Sequence, residues 1–279
     1  MYKITLGMMN DFRRYLFNEE KSEATVSKYI GDIHAFRKWL GERGVTKETV
    51  LEYKRNLNER FLPASVNSML SSLNMFFKYS EKLNLQVKLL RIQRNTFADK
   101  EKELSKAEYE KLLKAAKNQN NERLYLLMQT ICSTGIRVSE LRFITVEAIM
   151  RKEALINCKG KHRKVLMPQK LCEILSKYIK KKKIQSGSIF ITRSGKPLDR
   201  SNICHEMKKL CGDAGVAASK VFPHNLRHLF ARTYYSMEKD IVRLADILGH
   251  SGINTTRIYT METGDIHRSQ IQRLGLLIC

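Results

Sequence analysis

Apolar residues recur at helical spacing through the first ninety residues of the chain. Val26, Tyr29, Ile30, Ile33, Phe36 and Leu40 fall on one face of a 3.6-residue repeat. Ser22 stands before them as a cap, and Gly41 and Gly44 follow as a stop. Thr46 opens a second stripe through Val50, Tyr53 and Leu57. Pro63 suits the first turn of a further helix carrying Val66, Leu70, Leu73, Phe76 and Phe77. The pattern predicts a bundle of about four helices. It breaks in the polar run Arg91–Lys100, which has no helical period and carries charge. The expected organisation is a first domain over 1–95, a linker over 96–104 and a second domain over 105–279.

The second domain opens on Ser105-Lys106-Ala107-Glu108, which fits a capping box. A helix through Leu124, Leu127, Met128 and Ile131 runs to a stop at Gly135. Two short strands are expected over 154–158 and 164–167, with 159–163 as their turn. A third is expected over 188–192, closed by Ser194-Gly195-Lys196-Pro197. Helices resume near Asp199, Pro223, Asp240 and Asn254. The fold class is therefore mainly α: an N-terminal helical bundle, then a mainly helical domain with a small antiparallel sheet.

Composition narrows the function. An apolar fraction of 43% is enough to bury a core across 279 residues. The net charge of +23 predicts a polyanionic partner, most simply a nucleic acid. Both halves are basic: residues 1–100 carry a net +7 and residues 101–279 a net +16. No apolar run approaches the ~20 residues of a spanning helix, so no membrane role is expected. The N-terminus has no signal-peptide core, which places the protein in the cytoplasm. The six cysteines form no CxxC pair. They read as free thiols, and no metal site is expected.

Candidate chemistry lies in four segments. Arg137 follows the Gly135 stop and opens a helix through Val138, Leu141 and Ile144. A cation at a helix N-terminus is unfavourable unless an anion is near, which suits a phosphate clamp. His224 and Arg227 are three residues apart and share a helix face, started by Pro223. His250 follows Gly249 at the end of a helix over 241–248, and Tyr259 comes nine residues later. Transesterification of a phosphodiester needs a nucleophile, cations on the non-bridging oxygens, a base and an acid. Tyrosine, arginine, histidine and lysine are fitted to those tasks. Taken singly, each residue reads more readily as ordinary surface or core than as functional, and His228 reads as structural. The run 151–183 holds 12 basic residues against two acids. It reads as a solvated face or, with DNA present, as a phosphate-tracking groove.

Together, Arg137 with Glu140, the HxxR pair, Leu248-Gly249-His250 and Tyr259 resemble the ordered motifs of the tyrosine recombinases, the phage integrase and Xer-type family. The resemblance implies a SAM-like helical core-binding domain followed by a catalytic domain, clamping duplex DNA between them. It implies that Tyr259 attacks the scissile phosphate to give a 3′-phosphotyrosine, with Arg137 and Arg227 on the non-bridging oxygens. His224 is implied in proton transfer, His250 as an auxiliary hydrogen-bond donor and Glu140 as the acid that orients the cluster. The general-acid lysine is implied on the β-hairpin, where Lys159 fits best and Lys161 is the alternative. Whichever is not the acid becomes a backbone contact on DNA, alongside His162, Arg163 and Lys164. No cofactor is implied, because one phosphoester is exchanged for another. The implied partners are double-stranded DNA, a homo-tetramer on two DNA sites and optional accessory DNA-binding proteins. The apolar end Leu274–Ile278 would dock on a neighbouring protomer or on its own domain. The chain shows no additional N-terminal arm-binding domain, which points to a resolvase, an inversion switch or the integrase of a small mobile element. Two rivals remain: a type IB topoisomerase-like relaxing enzyme and an inactive DNA-binding regulator.

Overall fold

Capped amphipathic helices build the first of two compact units, Met1–Arg94 and Asn95–Cys279. The structure is a computed structural model and describes residues 2–92, 100–158, 161–192, 194–260, 268–269 and 271–274. The first unit holds α1 (Leu6–Asn18), α2 (Glu23–Leu40), α3 (Lys47–Arg60) and α4 (Pro63–Tyr79). Thr5, Ser22 and Thr46 each accept a backbone N–H of the first turn, and Pro63 starts α4. The stripes face inward: Phe12, Ile33, Phe36, Leu70, Leu73, Phe76 and Phe77 are fully buried. Phe12 meets Phe76 edge-on with ring centroids 5.2 Å apart.

After α4 the chain runs back along it, held by two asparagines. Asn74 exchanges hydrogen bonds of 2.8 and 2.9 Å with the backbone of Val87, and Asn67 does so with Leu90 at 2.9 and 2.7 Å. Two helical turns between the asparagines span about 10.5 Å. Three extended residues span about 10 Å, so the spacings match.

The second unit contains α5 (Lys106–Asn118), α6 (Glu122–Thr134), α7 (Val146–Arg151), β1 (Glu153–Cys158), β2 (Lys161–Leu166) and α8 (Gln169–Lys182). It continues with α9 (Arg200–Lys209), α10 (Cys211–Ala214), α11 (Pro223–Glu238), α12 (Ile241–Leu248) and α13 (Ile253–Thr256). A six-residue 3-10 turn, Val138–Phe143, stands where a helix is expected after Arg137. Another, Arg257–Tyr259, follows α13. Helix α11 packs along α6 at the centre.

Among the described residues the sheet has two strands, antiparallel from Glu153↔Leu166 to Cys158↔Lys161. β2 begins at Lys161, inside the expected turn. The expected third strand is reduced to single bridges, Thr145↔Ser188 and Ile191↔Pro197. Its partner enters α7 at Val146 and leaves extended geometry after one pair, and Pro197 has no N–H to donate.

The expected linker 96–104 is also shortened. Leu104 is fully buried in the second unit's core. Arg232 donates to the Leu104 carbonyl at 2.7 Å and pairs with Glu103, and Asn225 donates to the Lys102 carbonyl at 2.9 Å. Residues 102–104 thus belong with the second unit. Leu104→Ala is expected to destabilise that unit by about 2–5 kcal/mol, the range for a buried leucine. Urea unfolding followed by a probe in that unit measures it, and an unchanged midpoint would return the segment to the linker.

Candidate active site

Two helix ends meet at one buried arginine. α6 ends at Gly135 (φ +66°) and α12 at Gly249 (φ +64°), both left-handed. A side chain at Gly135 would be doubly excluded, since its Cβ would lie 2.4 Å from the Phe230 ring. Arg227, one turn into α11, is 1% exposed. Its Nη1 donates to the Gly135 carbonyl at 2.5 Å and its Nη2 to the Leu248 carbonyl at 2.8 Å. Carbonyls at a helix C-terminus carry partial negative charge, so they are suited to a guanidinium removed from water. Burial, with the Arg137 charge next, pulls the Arg227 pKa down to about 10, so the group remains a cation at neutral pH. Its Nε–H has no hydrogen-bond partner among the described residues.

Arg137 stands at the rim, its side chain 40% exposed. Nη1 donates to Glu140 Oε1 at 3.0 Å and Nη2 to the Gly249 carbonyl at 3.3 Å. Its backbone N–H donates to Glu140 Oε2 at 2.8 Å, so the Glu140 carboxylate reaches back over the start of the 3-10 turn. Glu140 is 3% exposed. Burial pushes its pKa up, but the Arg137 N–H and the charges of Arg163 and Arg137 outweigh it and hold it below the usual glutamate value. The second guanidinium on this carboxylate is Arg163 of β2, at 2.6 Å.

The rings complete the pocket. His250 Nε2 lies 2.9 Å from Arg227 Nη2 and Nδ1 lies 2.8 Å from the Thr256 hydroxyl. A guanidinium cannot accept, so Nε2 is the acceptor and the proton sits on Nδ1, donating to Thr256. His250 is therefore neutral; burial and then the Arg227 charge push its pKa down to about 4. Its ring lies nearly parallel to that of Tyr259, centroids 6.1 Å apart. His228 stands between two rings, edge-on to Tyr259 at 5.0 Å and tilted against His224 at 4.5 Å. Burial pushes its pKa to about 4 as well. His224 reaches solvent at its rim. Partial enclosure, then the charges of Arg227, Arg200 and Arg137, lower its pKa. Tyr259 is only 5% exposed and shares an apolar cluster with Ala231, Leu244 and Leu248. Burial raises its phenol pKa, and Arg227 and Arg137 pull it back.

The structure therefore brings Arg137, Glu140, His224, Arg227, His250 and Tyr259 into one pocket, on one chain. Lys159 lies outside the described residues. Lys161 takes the last ladder position, opposite Cys158. His162 and Lys164 face outward, Lys164 within 3.4 Å of Glu153. Arg163, expected as a DNA contact, turns the other way. Strand side chains alternate, so Arg163 shares the inner face with Val165 and its side chain is 14% exposed. Its inward role was open to reading from that alternation. His228 also carried a signal, four residues from His224 on one helix.

The depressed histidine pKa values predict acid sensitivity. Unfolding releases His228 and His250 from about 4 toward the ordinary 6.5, so the unfolded chain binds more protons between those values. Stability is full above pH 6.5 and falls as pH drops toward 4. Urea midpoints measured from pH 7.5 to 4.5 should decline, and His250→Gln, which still accepts from Arg227, should lessen the slope. Identical slopes would contradict the neutral, buried assignment.

The phage integrase family model matches residues 102–264, and the phage integrase N-terminal SAM-like domain model matches residues 9–83. Tyrosine recombinase XerA of Pyrococcus furiosus is 28% identical, over 97% of this chain and 94% of that protein. The fold is similar to a lambda integrase (75–356) dimer bound to a COC' core site, with TM-score 0.74 at 18% identity, covering 93% of this chain and 96% of that one. It is also similar to a lambda integrase tetramer bound to a Holliday junction, with TM-score 0.73 at 18% identity, covering 92% and 77%. Among the described residues no helix is long and apolar enough to cross a membrane. The relaxing-enzyme and inert-regulator readings are not favoured by matches that run the length of recombinases. The chain belongs to the phage integrase family, the tyrosine recombinases that cut and rejoin DNA at specific sites through a tyrosine nucleophile.

Proposed function

We propose that Tyr259 is that nucleophile and that the pocket around Arg227 is where the phosphate reacts. The phenol oxygen attacks the scissile phosphorus, the bond to the 5′-oxygen breaks, and a 3′-phosphotyrosine and a 5′-hydroxyl result. His224 takes the phenol proton, and a hairpin lysine, Lys159 ahead of Lys161, protonates the leaving oxygen. Arg137 and Arg227 offset charge on the non-bridging oxygens. A 5′-hydroxyl from another strand reverses the step, so no external energy is needed. The observation that carries this reading is the convergence of both arginines, His250 and Tyr259 within a single chain. It favours cleavage by each protomer with its own tyrosine. For His250 to donate to phosphate, its ring proton must move from Nδ1 to Nε2, with Thr256 then donating to Nδ1, and an arriving phosphate oxygen takes the place of Nε2 on Arg227.

Strand exchange requires two DNA sites, and four protomers in the cytoplasm acting on them, with accessory DNA-binding proteins where a site demands them, fit the reading. The lambda integrase tetramer on a Holliday junction is a fold relative of this kind. Resolution, inversion and integration all draw on the same chemistry.

Nicked duplexes bearing candidate sites should trap a covalent protein–DNA adduct. Tyr259→Phe should bind DNA and form none; an adduct that persists would remove Tyr259 from the reaction. Arg137→Ala should bind DNA yet cleave at least about 100-fold more slowly, the usual scale for loss of a transition-state donor. Unimpaired cleavage would remove Arg137.

The lysine has its own test. A substrate whose leaving 5′-oxygen is replaced by sulfur departs as a thiolate and needs no acid. Lys159→Ala should be slow on ordinary DNA and recover on the sulfur substrate, whereas Lys161→Ala should not show that recovery. The opposite pattern would move the role to Lys161.

A further inference from the structure

Arg137 is held by two acceptors, the Glu140 carboxylate and the Gly249 carbonyl. Arg163 stands behind both. Its Nη2 donates to Glu140 Oε2 at 2.6 Å, the oxygen that also takes the Arg137 backbone N–H. Its Nη1 donates to the Ile247 carbonyl at 2.6 Å, two residues before Gly249. Its stem lies so close beneath Gly249 that a Cβ there would come within 2.4 Å of Arg163 Cδ. A β-strand side chain thus braces the carboxylate and the helix end that together aim Arg137.

We propose that Arg163 is a positioning residue for the reaction: it neutralises Glu140 and fixes the Gly249 turn, so that Arg137 keeps its charge and direction for the scissile phosphate. The assignment rests on the reading of Arg137 as a phosphate clamp. The physical reason is charge sharing. Glu140 is an ionised carboxylate with almost no access to water. Two guanidinium groups divide its negative charge. Without Arg163, Arg137 is the only cation among the described residues that pairs with it. Arg137 is then drawn onto the carboxylate, and less of its field reaches a substrate anion. The Ile247 carbonyl also loses its donor, freeing the turn that carries the second Arg137 acceptor.

Arg163 should therefore matter only as far as Arg137's charge matters. A methylphosphonate at the scissile position replaces one charged oxygen by a methyl group and removes the negative charge that Arg137 offsets. Arg163→Met keeps much of the stem beneath Gly249 and deletes the donors. Wild type, Arg163→Met and Arg137→Ala are compared in single-turnover cleavage of the native and methylphosphonate duplexes. For Arg163→Met the expected loss is about 100-fold on the native phosphate, as for a small displacement of a reacting group. On the methylphosphonate the loss should shrink to within about 3-fold, in parallel with Arg137→Ala. The ratio of the two substrates in one preparation is independent of how much protein is folded, so instability cannot imitate the result. Equal losses on both substrates, or no loss on either, would overturn the assignment of Arg163. If Arg137→Ala itself shows no selective loss on the native phosphate, the clamp reading falls and takes the Arg163 proposal with it. A selective Arg137→Ala with an unselective Arg163→Met sinks the positioning role alone.

Discussion

A guanidinium buried at 1% exposure is the constraint on which the pocket depends. Withdrawing such a charge from water costs several kcal/mol unless polar groups replace the hydration. Arg227 meets that cost with the ends of two helices, α6 and α12, whose last carbonyls point at it. Those carbonyls can converge only because each helix stops in a left-handed glycine. Once they have converged, Arg137 is brought onto the Gly249 carbonyl and His250 onto Arg227. The tautomer of His250 follows as well, since Arg227 can only donate. One buried charge thus fixes the spacing of α6, α11 and α12 and the orientation of the rings between them.

Much of this was legible in the sequence, for reasons that are local. Stripes such as Val26, Ile33, Phe36 and Leu40 encode one buried face. Ser22, Thr46, Ser105 and Asp240 cap the helices they precede, because a short polar side chain reaches a first-turn N–H. The candidate pocket residues were legible as an ordered series of motifs. What was not legible depends on partners distant in sequence. The segment 188–192 looks like a strand, but whether it extends depends on a partner that turns into α7. Leu104 looks like linker until Arg232, 128 residues away, takes its carbonyl. Asn67 and Asn74 look like polar helix residues, yet they hold a returning chain that no local period announces. Arg163 looked like one basic residue among many. Its direction is set by strand parity and its importance by Glu140, 23 residues earlier.

Tyr259 shows how stability and reactivity meet in one side chain. It is buried with Ala231, Leu244 and Leu248, so it helps to hold α12 against α11. A phenol so enclosed resists ionisation, yet Arg227 and Arg137 oppose that resistance. In the proposed reaction the phenolate never has to exist as a free anion, because its charge passes to the phosphorus as the new bond forms. Burial then limits attack to a phosphate that has reached Arg227 and excludes water as a competing nucleophile.

In the proposed reaction the same arginines also determine when His224 is ready to act as the base. Partial enclosure, and then the charges of Arg227, Arg200 and Arg137, lower the His224 pKa and so favour the neutral ring at neutral pH. A neutral imidazole can accept a proton, but cations beside it oppose that transfer. A phosphodiester brings one negative charge to Arg137 and Arg227, and the developing phosphorane brings a second. Each increment cancels part of the field that disfavours protonated His224, so its proton affinity rises as the reaction proceeds. In that proposed reaction the pocket's excess of positive charge acts as a gate: it opposes proton uptake by His224 until the reacting phosphate neutralises it. Such a gate requires that Glu140 not neutralise Arg137 first, which is the reason a second arginine on that carboxylate has consequences for chemistry rather than for stability alone.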